Sequence, residues 1–111
     1  MKKSYRIKKE KEFQMIMMKK KSFANKNFVV YISYNNQKHF RVGLSVGKRI
    51  GNAVNRNYVK RQIREGLFNL KPSIDKDVSM IVIARPNIVN LTTQEVEKNL
   101  EHVLKLAGII S

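Results

Sequence analysis

Apolar residues recur along this chain at two periods, and each change of period marks a new element. In residues 10–20, Phe13, Ile16 and Met17 fall on one side, the spacing of a short helix. Residues 28–34 are β-branched and aromatic and predict a strand. After an Asn35-Asn36-Gln37 turn, residues 40–46 alternate strictly, the mark of a half-buried strand. The short turn between these two strands predicts an antiparallel hairpin. Residues 52–70 return to a helical period, opening at Gly51-Asn52 and closing at Leu70-Lys71-Pro72. Residues 78–84 are almost continuously apolar, as in an interior strand. Thr92-Thr93-Gln94-Glu95 starts a last helix with a capping box, and Val96, Leu100, Val103 and Ala107 then share one face. Residues 1–9 are basic and read as irregular. The order α-β-β-α-β-α predicts an α+β sandwich, helices on a small sheet. The 111 residues fit one domain, 1–111.

The two faces of the expected hairpin differ. Phe28, Val30, Ile32, Phe40, Val42, Leu44 and Val46 make one oily side, which predicts the core. Val29, Tyr31, Ser33, Arg41, Gly43 and Ser45 make the other. Small residues beside an aromatic and a cation suit a floor for an extended ligand, and equally an ordinary solvated face. The helix 52–70 is also two-sided. At about 100° per residue, Val59, Ile63, Leu67 and Leu70 occupy an apolar arc of about 80°. Arg56, Asn57, Lys60, Arg61 and Arg64 occupy an adjacent arc of about 140°. Tyr58 and Gln62 lie outside both.

Charge sharpens this picture. Residues 1–64 hold 18 Lys/Arg against Glu10 and Glu12, a net of +16, while residues 65–111 are net −1. From Gly47 to Arg64 there are six cations and no acid. Like charges four apart weaken a helix slightly, so a sequence that accepts them faces a polyanion. Nucleic acid and anionic membrane are the two candidates, and a buried apolar arc with Arg-Asn pairing fits the membrane poorly. Absence of cysteine excludes a disulfide framework and thiolate metal sites and is compatible with a reducing cytosol. No signal peptide is visible, and Met15–Met18 is too short to span a bilayer.

Catalytic chemistry is hard to place on the chain. Asp75 and Asp77 sit two apart in a turn, a usual surface pattern, and a metal site needs further converging oxygens. His39 and His102 share no ligand spacing, and Gly43, Gly47 and Gly51 do not make a phosphate-cradling loop. No catalytic residue and no metal ligand is assigned. Binding residues are better supported: Arg and Lys suit phosphates, Asn suits sugar or base edges, and aromatics such as Phe13 and Tyr31 can stack on unpaired bases. A core contact accounts for Phe13 as well.

The blocks Arg6-Ile7-Lys8-Lys9, Glu12-Phe13, Phe28-Val29-Val30-Tyr31, Arg41 to Val46, Ser45 to Arg64 and Ile83-Ala84-Arg85, in that order, resemble the protein component of bacterial ribonuclease P. The likeness covers nearly the whole chain. It implies a subunit of an endoribonuclease that removes the 5′ leader of precursor tRNA in the cytoplasm. The RNA subunit would supply the chemistry, with Mg2+ bound mainly by that RNA. It implies that Lys48, Arg49, Arg56, Asn57, Lys60, Arg61 and Arg64 dock on the catalytic RNA. A cleft bearing Phe13, Met17, Tyr31 and Arg41, on another surface, would take the single-stranded leader. No membrane and no protein partner is required. It also implies a left-handed β-α-β crossover, against the general preference for the right-handed form. Met17 replaces a second cleft aromatic common in the family, and Tyr58 replaces a common cation. A non-catalytic RNA-binding protein of ribosomal type is the alternative.

Overall fold

The computed structural model describes residues 2–110. Its centre is the strand read from the sequence as interior. Four strands form one mixed sheet: β1 (Ser22–Ala24), β2 (Phe28–Tyr34), β3 (Arg41–Ser45) and β4 (Val78–Ala84), in the spatial order β1-β2-β4-β3. β2 pairs antiparallel with β4, with Tyr31 opposite Ile81. β3 pairs parallel with β4, with Gly43 opposite Ile81.

The expected hairpin is therefore wrong: β4 lies between the two strands that were to pair. The reason is burial. Every residue of β4 except Ile83 is buried, so it needs cover on both faces and partners on both edges. The 35–37 segment does not close a hairpin but wraps the start of β4. Asn35 N–H donates to the Asp77 carbonyl at 2.8 Å, and the Gln37 amide donates to the Val78 carbonyl at 2.9 Å. The short strand β1 was not anticipated. It pairs antiparallel with β2 on the outer edge.

Three α-helices cover the described sheet: α1 (Glu10–Met18), α2 (Ala53–Leu70) and α3 (Thr93–Leu106). A parallel pair cannot be joined by a tight turn, and α2 carries the chain from β3 to β4. Phe28, Val30, Ile32, Val42, Met80 and Val82 pack with Val59, Ile63 and Leu67 of α2 and Val96, Leu100 and Val103 of α3. These agree with the apolar arcs expected from periodicity. Gln62 also turns inward: it is 5% exposed, and its amide donates to Thr93 Oγ1 at 3.0 Å, tying α2 to the start of α3. Against the opposite face α1 builds a second, smaller cluster of Ile7, Ile16 and Ile81, with Phe13, Met17, Tyr31 and Ile83 half-covered beside it.

The helix starts follow their caps. Gly51 has φ +144°, a backbone that L side chains rarely adopt, and Asn52 then accepts from Asn55 N–H at 3.0 Å. Thr92 and Glu95 complete the capping box in both directions, at 3.2 and 2.9 Å. The N-terminal segment is more ordered than its composition suggests. Lys3–Tyr5 form a 3-10 turn, Arg6 bridges to Val42, and Ile7 N–H donates to the Val42 carbonyl at 2.9 Å. Beside it, Tyr5 stacks on His39 with ring centroids 3.8 Å apart.

Leu100 is fully buried in the larger cluster, so Leu100→Ala should cost about 2–5 kcal/mol of unfolding free energy, readable by urea denaturation. The Glu95 carboxyl is held below its ordinary range, chiefly by the Thr92 backbone N–H and then by its hydroxyl. A lowered folded pKa gives stability that is present above the unfolded value of about 4.3 and is lost as pH falls through the folded value. Glu95→Gln keeps an acceptor but does not titrate. Its stability should change less than the parent's below about pH 4.3, measured by denaturation at stepped pH.

Candidate nucleic-acid interface

The cations expected to face RNA are presented from two neighbouring elements. Lys48 and Arg49 are exposed on the 3-10 turn Lys48–Ile50, which is anchored by buried Ile50. On α2, Asn57 and Arg61 are exposed, while Arg56, Lys60 and Arg64 are half-buried. Arg56 sits at the seam between the polar and apolar arcs. Its Nε is buried and has no hydrogen-bond partner among the described residues. Such a donor invites an acceptor from outside the chain. Burial first, and the neighbouring Arg6 second, lower the pKa of Arg64. Its guanidinium stays charged, because arginine does not lose its proton in proteins.

Phe13, Met17 and Tyr31 do come together, half-covered on the α1 side of the sheet. Gly43 makes room for them. A Cβ at that position would stand 2.5 Å from Phe13 Cζ and 2.9 Å from Ile81 Cδ1. The strand therefore needs glycine where the Phe13 ring lies on it. Arg41, the fourth expected cleft residue, is held by Glu12. Its two terminal nitrogens donate to the carboxylate at 2.6 and 3.3 Å. That pair borders a recess of about 260 Å3 with Met15, Ile16, Lys19, Ser33, Asn35 and Gln37, in which Lys19 Nζ donates to Ser33 Oγ at 2.8 Å.

Met17 and Tyr31 lie on the α1 side of the sheet, across from α2, but Phe13 reaches the cations of the basic helix. One recess of about 260 Å3 is lined by Phe13, Ile7, Val42 and Leu44 together with Arg6, Lys8, Lys60 and Arg64. The edge strand β3 is narrow, so α1 on one side and α2 on the other both reach its rim. Arg6 and Lys8 belong to this recess, whereas the sequence reads residues 1–9 only as basic and irregular. Their charge was visible, and their placement depended on the bridge to Val42. A further cationic hollow gathers Lys26, Arg49 and Arg85, residues far apart in sequence.

The titratable groups that suggested other chemistry have local roles. His39 stacks on Tyr5, and His102 Nδ1 lies 3.2 Å from the Asn25 amide. Asp77 pairs with Lys76 at 2.9 Å, which holds its carboxyl below the usual range. Among the described residues no group of three or more His, Asp or Glu could hold a metal ion. Among them, too, no helix is long and apolar enough to cross a membrane.

Comparison with known proteins gives this surface a context. The family model Ribonuclease P matches residues 1–108. The ribonuclease P protein component of Enterococcus faecalis is 60% identical over 111 residues, covering 99% of this chain and 94% of that protein. That of Streptococcus agalactiae is 52% identical over 110 residues, covering 99% and 100%. The solved Staphylococcus aureus RNase P protein superposes with a TM-score of 0.90 at 47% identity, covering 98% of this chain and 100% of that one. The Thermotoga maritima RNase P protein gives 0.84 at 30%, covering 91% and 96%. Sequence and fold agree along the chain, which belongs to the ribonuclease P protein family as a component of the bacterial type.

Proposed function

We propose that this chain assembles with the ribonuclease P RNA through the cationic arc of α2 and grips the 5′ leader of precursor tRNA beside Phe13. The observation that carries this reading is the recess in which Lys60 and Arg64 meet Phe13. Phosphates of a docked RNA would meet Lys48, Arg49, Arg56, Lys60, Arg61 and Arg64, with Asn57 available to sugar or base edges. An unpaired leader nucleotide would lie on Phe13, Met17 and Tyr31, by stacking and by dispersion. Arg41 would meet it only by sharing or leaving Glu12.

Phosphodiester hydrolysis then falls to the RNA subunit, with Mg2+ bound mainly by that RNA. What the protein contributes is neutralised charge and a held leader. Both raise substrate affinity and favour cation binding nearby in the RNA. A cytoplasmic setting goes with this role, where tRNA precursors and their processing RNA meet.

Arg61→Ala should weaken assembly with the ribonuclease P RNA and reduce the log–log salt slope by about 0.7–0.9, read by binding titrations at several salt concentrations. A parent slope near zero would sink the electrostatic reading. Phe13→Ala should weaken precursor tRNA binding to the holoenzyme by about tenfold and leave mature tRNA unchanged. Gly43→Ala, which displaces the same ring, should act in the same direction. Equal losses for precursor and mature tRNA would remove the leader from this cleft.

A further inference from the structure

Tyr58 is an aromatic residue on an otherwise cationic stretch of helix, and the function above does not use it. Its side chain is 51% exposed, and the Arg61 guanidinium lies 5.8 Å from its ring centroid. On the helical wheel it stands between Arg61, at the end of the cationic arc, and Asn55 and Gln62. On that second side lies a recess of about 470 Å3, within the size range of small-molecule sites. Val59, Ile88 and Leu91 give it apolar walls, Val89 stands exposed at 53%, and Asn55 and Gln62 supply amides. Among the described residues, no charged side chain lines it. Gln62 commits its amide nitrogen to Thr93, which leaves its carbonyl oxygen for another donor.

We infer that this recess takes one unpaired nucleobase of the ribonuclease P RNA, stacked on Tyr58, as an anchor beside the phosphate contacts of α2. A base needs two apolar faces and a polar edge, and the recess offers both. Its backbone needs cations on either side. Arg61 flanks Tyr58 on one side, and Lys48 and Arg49 flank the other, on the turn whose Ile50 lines the recess. An acidic or neutral peptide would use the walls but not both flanking charges. A lipid surface would not use a concave site. The inference rests on the reading that α2 faces the RNA.

The test is holoenzyme assembly with the full-length cognate ribonuclease P RNA, followed by binding across salt and by base-specific chemical probing. Tyr58→Leu keeps an apolar side chain but loses the ring. It should weaken binding about tenfold with the salt slope unchanged, while Tyr58→Phe stays within about twofold. Val89→Asp, a surface change across the recess, should weaken binding likewise. One or two unpaired nucleotides should be protected by the parent and by Tyr58→Phe and become reactive with Tyr58→Leu. Parent-like binding by Tyr58→Leu, or a loss with no nucleotide changing reactivity, overturns the proposal. So does a self-associated protein that Tyr58→Leu dissociates without affecting RNA binding. Should Arg61→Ala leave the salt slope unchanged, the α2 interface itself fails; should it lower the slope while Tyr58→Leu is silent, only this pocket does.

Discussion

The rest of the structure depends on burying β4 on both faces. Val78, Met80 and Val82 face α2 and α3, and Ile81 faces α1. A strand of this kind must lie inside a sheet, so β2 and β3 take its two edges. β3 runs parallel to it, and a parallel neighbour demands a crossover, which places α2 across the sheet. The basic helix is thus fixed in position by an apolar strand that it precedes in sequence. On the other face α1 is only nine residues long and cannot cover the sheet. The uncovered remainder has Phe13, Met17 and Tyr31 at its border.

Electrostatics then sets what that framework is for. Stacked cations on α2 oppose helix formation by a few tenths of a kcal/mol per pair. Packing of Val59, Ile63 and Leu67 outweighs this, since most helical stability in proteins comes from the buried face. Arg64 also feels burial and, from outside the helix, the charge of Arg6. Arg41 of the basic half is paired with Glu12. The exposed cations Lys48, Arg49 and Arg61 suit a polyanion, and releasing its counterions is the general source of affinity for RNA.

Much of this was legible in the residues, and the failures have particular causes. α1, α2, β4 and the Thr92 capping box follow from period and cap chemistry. The α2 arcs predicted which side would be buried, and Gln62 escaped because a single buried amide has no periodic signal. The hairpin rests on a short Asn35-Asn36-Gln37 turn between two strand-like runs. Yet a continuously apolar third strand already argued against it: in a small sheet an interior strand must separate the other two. The carbonyls of Lys76, Asp77 and Val78 also need donors, and Gln37 and the Asn35 N–H supply them from the supposed turn. β1 is three residues long, too short to show alternation. Residues 2–9 gave only charge, whereas their order comes from the free edge of β3.

The site was legible as a list of residues but not as a surface. Phe13 and Lys60 are 47 positions apart, and nothing local says that they share a recess. They do so because β3 is an edge strand only five residues long, with a helix on each side and the N-terminal segment along its open rim. Gly43 lets the Phe13 ring sit down on that strand. The consequence is mechanical. An RNA held by the cations of α2 and a single strand held on Phe13 would approach the same narrow edge from two sides. Lys60 and Arg64 line the recess that Phe13 also lines, so the proposed assembly and leader contacts would meet at the same charges. Coupling between the two proposed contacts would then need only those shared charges, without any movement of the protein.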